Sequence, residues 1–424
     1  MREMKDSGIE WIGDIPADWG TRKNKYLLNS MYSGGTPSAG NSDFYAVDSG
    51  IPFVSISDMS STDYVRTTKK ALTEEGRADK NLEILPIGTI LYSIYATVGA
   101  VSELAIEATI SQAMLALDLK ATVDKQYYKY CLCSMKDYIF GTANGNTQFN
   151  LNAEKVWNFA FPFPIIDEQQ RISYYLDQRC AEIDAVIERT KATIEEYKKL
   201  KQSIITEAVT QGIRQGCEMI ESEYEWIGSI PSHWRTIKAK WLLGERKERS
   251  EDGREEPLSM SQKLGLIPTK EMDMIPNMAA SFVGAKLVYI GDLVFNKLKA
   301  HLGVFAVSSY DGLVSPDYAV YYPTGLANVK YLEYLFKTPQ YIAEFRKKSS
   351  GVGAGLTRLY TDDLFSIYCS LPPKEEQTEI IAYLDKKCAE MDTLIARKTA
   401  LLTEMDSYKK SVIYEYVTGK KEVC

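Results

Sequence analysis

The chain contains its own pattern twice, and that repeat limits what it can fold into. Glu10-Trp11-Ile12-Gly13, Ile15-Pro16 and Trp19 return as Glu225-Trp226-Ile227-Gly228, Ile230-Pro231 and Trp234, an offset of 215 (226 − 11). The match continues through Lys25, Leu27 and Leu28 against Lys240, Leu242 and Leu243. A second anchor follows. Glu168-Gln169, Tyr175-Leu176-Asp177 and Cys180-Ala181-Glu182-Ile183-Asp184 return as Glu376-Gln377, Tyr383-Leu384-Asp385 and Cys388-Ala389-Glu390-Met391-Asp392, an offset of 208 (376 − 168). Val209-Thr210 and Val417-Thr418 close both copies at that same offset. Anchors that keep register around drifting sequence mark one scaffold carrying two unlike inserts.

The second anchor opens two long helices, expected over 168–210 and 376–418. Leu176, Cys180, Ile183, Ile187, Thr190, Ile194, Tyr197, Lys201, Ile204 and Ala208 alternate steps of four and three. Leu384, Cys388, Met391, Ile395, Lys398, Leu402, Met405, Lys409, Val412 and Tyr416 do the same. That spacing is a heptad seam with a few polar breaks. Pro164 and Pro372-Pro373 stand before the helices, Asp167 is placed as an N-cap, and Gly212 and Gly419 mark the ends. About 40 residues at about 1.5 Å each make a rod of roughly 60 Å. Isolated helices gain little stability, so two seams of one phase are expected to pair with each other, antiparallel. Segment 167–216 holds eight Lys/Arg and nine Asp/Glu. The rod is therefore a poor phosphate binder and reads as a spacer with a docking face.

The inserts read as α/β (α+β) units of one fold. Gly34-Gly35-Thr36-Pro37 is a turn, Ile51–Ile56 a strand, and Leu85–Ser93 a turn into a strand, echoed by Val288–Asn296. Single helices are expected near Lys125–Phe140 and Val329–Lys347. Gly-rich loops follow at Gly141–Gly145 and Gly351–Gly355. The domain boundaries read 1–165, 166–215, 216–373 and 374–424.

Several chemistries are disfavoured. Net charge is −7, which argues against indiscriminate nucleic-acid coating but leaves room for a reader with small basic faces. His233 and His301 are the only histidines, so histidine-centred catalysis and multi-His metal sites have little to work with. The seven cysteines are scattered without CxxC spacing, which suits a reducing compartment. There is no secretory or membrane-spanning pattern, so a cytoplasmic location without a membrane role is expected. No phosphate-loop motif occurs, and Ser315-Pro316-Asp317-Tyr318 is only a distant look-alike of an amino-methyltransferase signature. Pro316-Asp317 with Asp385-Lys386-Lys387 could be forced into a nuclease pattern, but its second part lies on the rod. Gly351, Gly353 and Gly355 imitate a dinucleotide fingerprint without the βαβ setting it needs.

The paired E-W-I-G-x-I-P-x-x-W entries, the two Pro-to-Glu-Gln helix openings and the two Val-Thr endings together resemble the specificity subunit of type I restriction–modification systems. The resemblance spans essentially the whole chain. Ser259-Met260-Ser261-Gln262-Lys263, Gly265 and Ile267-Pro268, and Gly145, Thr147-Gln148 and Asn150-Leu151, look like segments of that family's target-recognition domains. The resemblance implies two target-recognition domains, each reading one half of a split double-stranded DNA sequence. It implies that the paired helices set the spacer and dock two methyltransferase subunits, with motor-nuclease subunits joining the complete enzyme. The chain itself would be non-catalytic and hold no cofactor, S-adenosylmethionine, ATP and Mg binding the partner subunits. The order of entry, insert and rod, repeated, suggests a pseudo-two-fold cyclic arrangement.

Candidate base readers follow from residue type and place, because major-groove readout uses Arg or Lys for guanine and Asn or Gln for adenine. The first insert offers Asn144, Asn146, Gln148 and Asn150 in one Gly-rich loop, residues that also suit plain turn chemistry. Thr36 and Ser38 in the turn, and Tyr92 and Tyr95 near a strand end, are second candidates. The second insert offers Lys297, Lys299 and His301 after the equivalent strand. Arg346, Lys347 and Lys348 end a helix and suit phosphate, although cations favour helix C-termini in any case. Thr357 and Arg358 follow the loop, and Arg358 aligns with Asn150 at offset 208. Trp11, Trp19, Trp226 and Trp234 read as packing anchors. The rival readings are a coiled-coil scaffold without DNA specificity, an enzyme with cryptic turnover, and an orphan or inactive specificity protein.

Overall fold

The computed structural model describes residues 2–47, 49–59, 63–141, 151–261, 264–272, 281–351 and 357–423. The chain divides into two compact units, one of Met1–Thr190 with Leu401–Cys424 and one of Lys191–Ala400. Both mix helices and sheets, the α+β class expected. The long helices are Ile166–Gln211 and Lys374–Val417. Asp167 falls inside the first turn instead of capping it, where its charge still suits the helix N-terminus. Gly212 (φ +80°) and Gly419 (φ +70°) stop the helices by adopting the left-handed conformation.

In the first unit, Leu28–Ser33, Met114–Leu119, Ile90–Ser93, Val101–Leu104 and Tyr64–Val65 form a sheet in that order. Gly34 leaves the first of these strands so close to Ser111 that a Cβ would sit 2.3 Å from its carbonyl oxygen, so no side chain is tolerated there. The entry motif folds as a hairpin, Met4–Asp6 against Asp14–Pro16. Its Trp11, Ile12, Ile15 and Trp19 share one core with Leu176, Cys180, Val412 and Val417 of the helices. Trp19 Nε1 donates to Glu168 at 2.8 Å, and Trp11 Nε1 to the Ala160 carbonyl at 3.1 Å. A Cβ on Gly419 would lie 2.5 Å from Pro16, so the close of the second helix abuts the entry hairpin.

The second unit repeats this construction. Leu243–Glu245, Tyr318–Pro323, Leu293–Asn296 and Phe305–Val307 form its sheet in that order. Met219–Glu221 pairs with Ser229–Pro231, and Ile227, Ile230 and Trp234 pack with Ala208, Val209, Ile380 and Leu384. Glu376 meets His233 Nε2 at 2.8 Å, and Trp234 Nε1 is buried without a partner among the described residues.

The Glu-Gln opening is explained by the second residue of the pair. Gln169 is fully buried; its Oε1 accepts from Asp124 N at 2.9 Å and its Nε2 donates to the Pro164 carbonyl at 2.8 Å. Gln377 accepts from Asn328 N at 2.7 Å and donates to Pro372 at 2.9 Å. Asp124 and Asn328 are the N-caps of Lys125–Ser134 and Val329–Phe336. Each glutamine therefore ties a long helix to the start of a domain helix and satisfies polar groups that water cannot reach.

The helices pair antiparallel inside each unit. In the first, Tyr175 packs on Tyr416 with ring centroids 4.5 Å apart, and Asp184 meets Lys409 at 2.7 Å. In the second, Lys201 meets Asp392 at 2.7 Å. Lys201 and Lys409, two of the polar breaks in the seam, thus have carboxylate partners on the facing helix. Leu176, Ile183, Ile187, Ile194, Leu384 and Val412 are buried as expected. Ile204, Met391, Ile395 and Leu402 are only half-buried, and Ile205 and Ile413 are buried instead. A straight helix drifts from a strict seven-residue period, and toward its end each helix turns a different face to a domain core. The single helices expected near Lys125–Phe140 and Val329–Lys347 are each two: Lys125–Ser134 then Lys136–Gly141, and Val329–Phe336 then Pro339–Lys348. Pro339 has no N–H to continue the preceding helix but suits the first turn of a new one.

Candidate nucleic-acid interface

In the first unit the candidate readers gather at one edge of the sheet. Leu115 pairs with Ser33 on one side and Tyr92 on the other, so both flanking strands end at the Met114 edge. Thr36 and Ser38 leave one strand end, half-buried and exposed, and Tyr95 leaves the other, 41% exposed. Tyr92 corrects the sequence reading. It is fully buried, edge-on to Phe159 with centroids 6.2 Å apart, and burial raises its phenol pKa. Its place in the strand alternation turns it into the core, so it belongs to packing. Asn144, Asn146, Gln148 and Asn150 lie outside the described residues.

The second unit carries charge at the corresponding edge. Asn296 pairs with Tyr318, so Lys297 leaves one strand where Ser315–Asp317 enters the next. Lys297 is half-buried, and its carbonyl accepts from Leu359 N at 3.1 Å, which holds Thr357–Arg358 beside that strand end. Arg358 pairs across a short ladder with Ser350, directly after the helix that ends in Arg346, Lys347 and Lys348. Those three are exposed, with Lys347 3.6 Å from Glu344. The structure therefore brings Lys297, Thr357, Arg358 and the basic helix end together. Lys299 is exposed and His301 half-buried in the turn Ala300–Leu302, with His301 Nδ1 buried and unpartnered among the described residues.

Residues the sequence reading missed complete this edge. Arg358 Nη2 donates to Asp317 Oδ1 at 3.1 Å. Lys286 is buried and donates to the Tyr318 carbonyl at 2.7 Å; burial, with Lys297 adding like charge, pushes its pKa down. Asp317, Asn296 and Tyr318 also line a cavity of about 480 Å³. Lys286 sits on an ordinary-looking strand, Lys286–Val288, and only tertiary packing places its amine here.

Comparisons with known proteins bear on the family and the fold. Residues 16–196 match the family model of the type I restriction modification DNA specificity domain. Residues 16–196 are thus similar to a type I specificity domain. The MjaIX specificity subunit of Methanocaldococcus jannaschii is 28% identical over 45% of this chain and 43% of its own length. A second protein of that organism, assigned as the specificity subunit of type I restriction enzyme MjaX, is 24% identical over 97% of this chain and 96% of its own. A solved chain from work on assembly and conformational transition of the type I R-M system superposes with a TM-score of 0.68 at 14% identity, covering 96% of this chain and 99% of that one. That likeness concerns the fold. The resemblance read from the repeated motifs to type I specificity subunits therefore holds.

In both entry motifs the tryptophans are structural: Trp11, Trp19 and Trp234 are buried and Trp226 packs edge-on to Tyr341 at 4.9 Å. Among the described residues no cluster of His, Cys, Asp and Glu is suited to a metal, and no helix is long and apolar enough to cross a membrane.

Proposed function

We propose that this chain is the sequence-reading subunit of a type I restriction–modification complex. Each domain reads one half of a split duplex target through the sheet edge described above. The two long helices set the unread spacer and dock two methyltransferase subunits. Motor-nuclease subunits complete the assembly, and catalysis with its S-adenosylmethionine, ATP and Mg belongs to those partners. The observation that carries this reading is the contrast between conserved construction and altered edge inside one chain. Both domains keep the same buried anchors: Tyr127 and Tyr331, Gln169 and Gln377, and Trp19 and Trp234. Yet where the second presents Lys297 and Asp317, the strand alignment gives the first Ile94 and Ala113. One scaffold with two unlike reading edges suits an asymmetric target.

Co-expression with a type I methyltransferase subunit from the same genome, followed by genome-wide mapping of methylated adenines, tests it. A split motif of constant spacing that disappears when this chain is deleted is the expected result. Methylation indifferent to the chain would return the protein to the scaffold reading.

A further inference from the structure

The Arg358–Asp317 pair has features that phosphate binding does not explain. Arg358 is 28% exposed and Asp317 61%. The arginine is held from two directions: its strand is fixed by the Leu359 N bond to the Lys297 carbonyl, and its guanidinium by Asp317. The single bond from Nη2 uses one donor of the fork and leaves the others. Nε is buried and has no partner among the described residues. It is the remaining Nη donors of this partly exposed guanidinium that are free to meet acceptors arriving from outside the chain.

Charge decides which acceptors. A phosphate would meet a cation already half neutralised and a mostly exposed carboxylate beside it, so its attraction is weakened and partly reversed. A neutral pair of acceptors in fork geometry suffers no such repulsion. Guanine O6 and N7 are that pair, and a guanidinium fixed along one side loses less rotamer freedom on engaging them. The basic helix end nearby, Arg346 and Lys348, has no such carboxylate partner among the described residues and is the natural phosphate contact of the same edge.

We infer that Arg358 reads a guanine in the half-site of the second domain and that Asp317 is its positioning residue. This rests on the DNA-reading function proposed above and names the base. The first domain has Ala113 at the position aligned with Asp317, so its edge lacks this device.

The test uses the full chain co-expressed with the methyltransferase, with methylated motifs read genome-wide for wild type, Arg358→Lys, Arg358→Ala and Asp317→Asn. Arg358→Lys keeps charge and removes the fork. It should relax one G·C position in one half-site, lowering discrimination there by roughly 5- to 150-fold, with the other half-site and the spacer unchanged. Asp317→Asn should relax the same position less. If Arg358→Ala fails to fold, the lysine and asparagine variants decide. An unaltered motif, relaxation at an A·T position, or a uniform loss at every position would overturn the inference while leaving the proposed function standing. A wild-type pattern that does not depend on the chain would instead remove the proposed function.

Discussion

The buried phenol of Tyr127 donates to the carbonyl of Val417 at 2.9 Å, across 290 residues of chain. The same O–H proton is shared with the Pro162 carbonyl, 3.2 Å away. In the second unit Tyr331 does the same with Val209 at 3.1 Å and Ser370 at 3.0 Å. Each tyrosine thus joins the end of one long helix to the domain whose own rod is the other helix. The repeated Val-Thr endings are fixed at this point because their carbonyls are the acceptors. Tyr127→Phe and Tyr331→Phe should each cost about 1–3 kcal/mol by leaving buried carbonyls short of a donor. Urea denaturation measures the loss. Limited proteolysis should show the last turns of Lys374–Val417 cut faster in the first variant and those of Ile166–Gln211 in the second.

Glu333 gives the second unit an acid-sensitive contact. Burial alone would push its carboxyl up, but Lys337 at 2.7 Å and Lys330 at 3.1 Å outweigh burial and hold it below the ordinary range. Folding therefore favours the ionised form. The contribution is full above the unfolded value of about 4.3 and is lost as pH falls through the lower folded value. Glu333→Gln should lower stability by about 1–3 kcal/mol at pH 7 and flatten its decline in acid. Thermal melting from pH 7 to pH 3 reads both, and equal acid slopes in variant and wild type would contradict the assignment. In the first unit the polarity is reversed, with buried Lys129 3.5 Å from Glu103.

The scaffold was legible in the sequence because its constraints are local and repeated. A heptad seam, a glycine stop and a tryptophan hairpin all leave spacing that can be counted. The reason for Gln169 was not legible: its partners are a backbone N–H and a carbonyl, which leave no trace in residue type. At the candidate edge, Lys297 and Arg358 could be picked by chemistry. Asp317 and Lys286 could not, because only packing brings them to the same strand ends. Tyr92 was misread for a related reason. A tyrosine on a strand faces core or solvent according to a register that one strand alone does not specify.

The basic helix end should behave unlike Arg358. Arg346→Ala and Lys348→Ala remove exposed cations, so each should weaken DNA binding by the complex about equally for every sequence. Each should also reduce the slope of log K against log salt by about 0.9. Binding isotherms on matched and mismatched duplexes at several salt concentrations separate the cases. A loss confined to one base pair would make either residue a base reader.

The helices offer a test of distance. Asp184 with Lys409, and Lys201 with Asp392, are 2.7 Å pairs on either side of the division at 190/191 and 400/401. Seven residues inserted at both divisions preserve each pair and the seam phase. Seven inserted at one division force one pair out of register. That should cost little in ion-pair energy, since exposed pairs contribute about 0–1 kcal/mol, but more in apolar packing. The double insertion adds about 10 Å of helix, close to three base pairs at about 3.4 Å each. Three base pairs also rotate the duplex by nearly a third of its turn of about 10 base pairs, while the paired helices rotate by only about 20°. The altered chain should therefore abandon the original site. It should either methylate a motif lengthened by about three base pairs, with twisting of the DNA absorbing the mismatch, or lose site-specific methylation. Continued methylation of the original motif by a well-folded double insertion would show that the helices do not set the spacer.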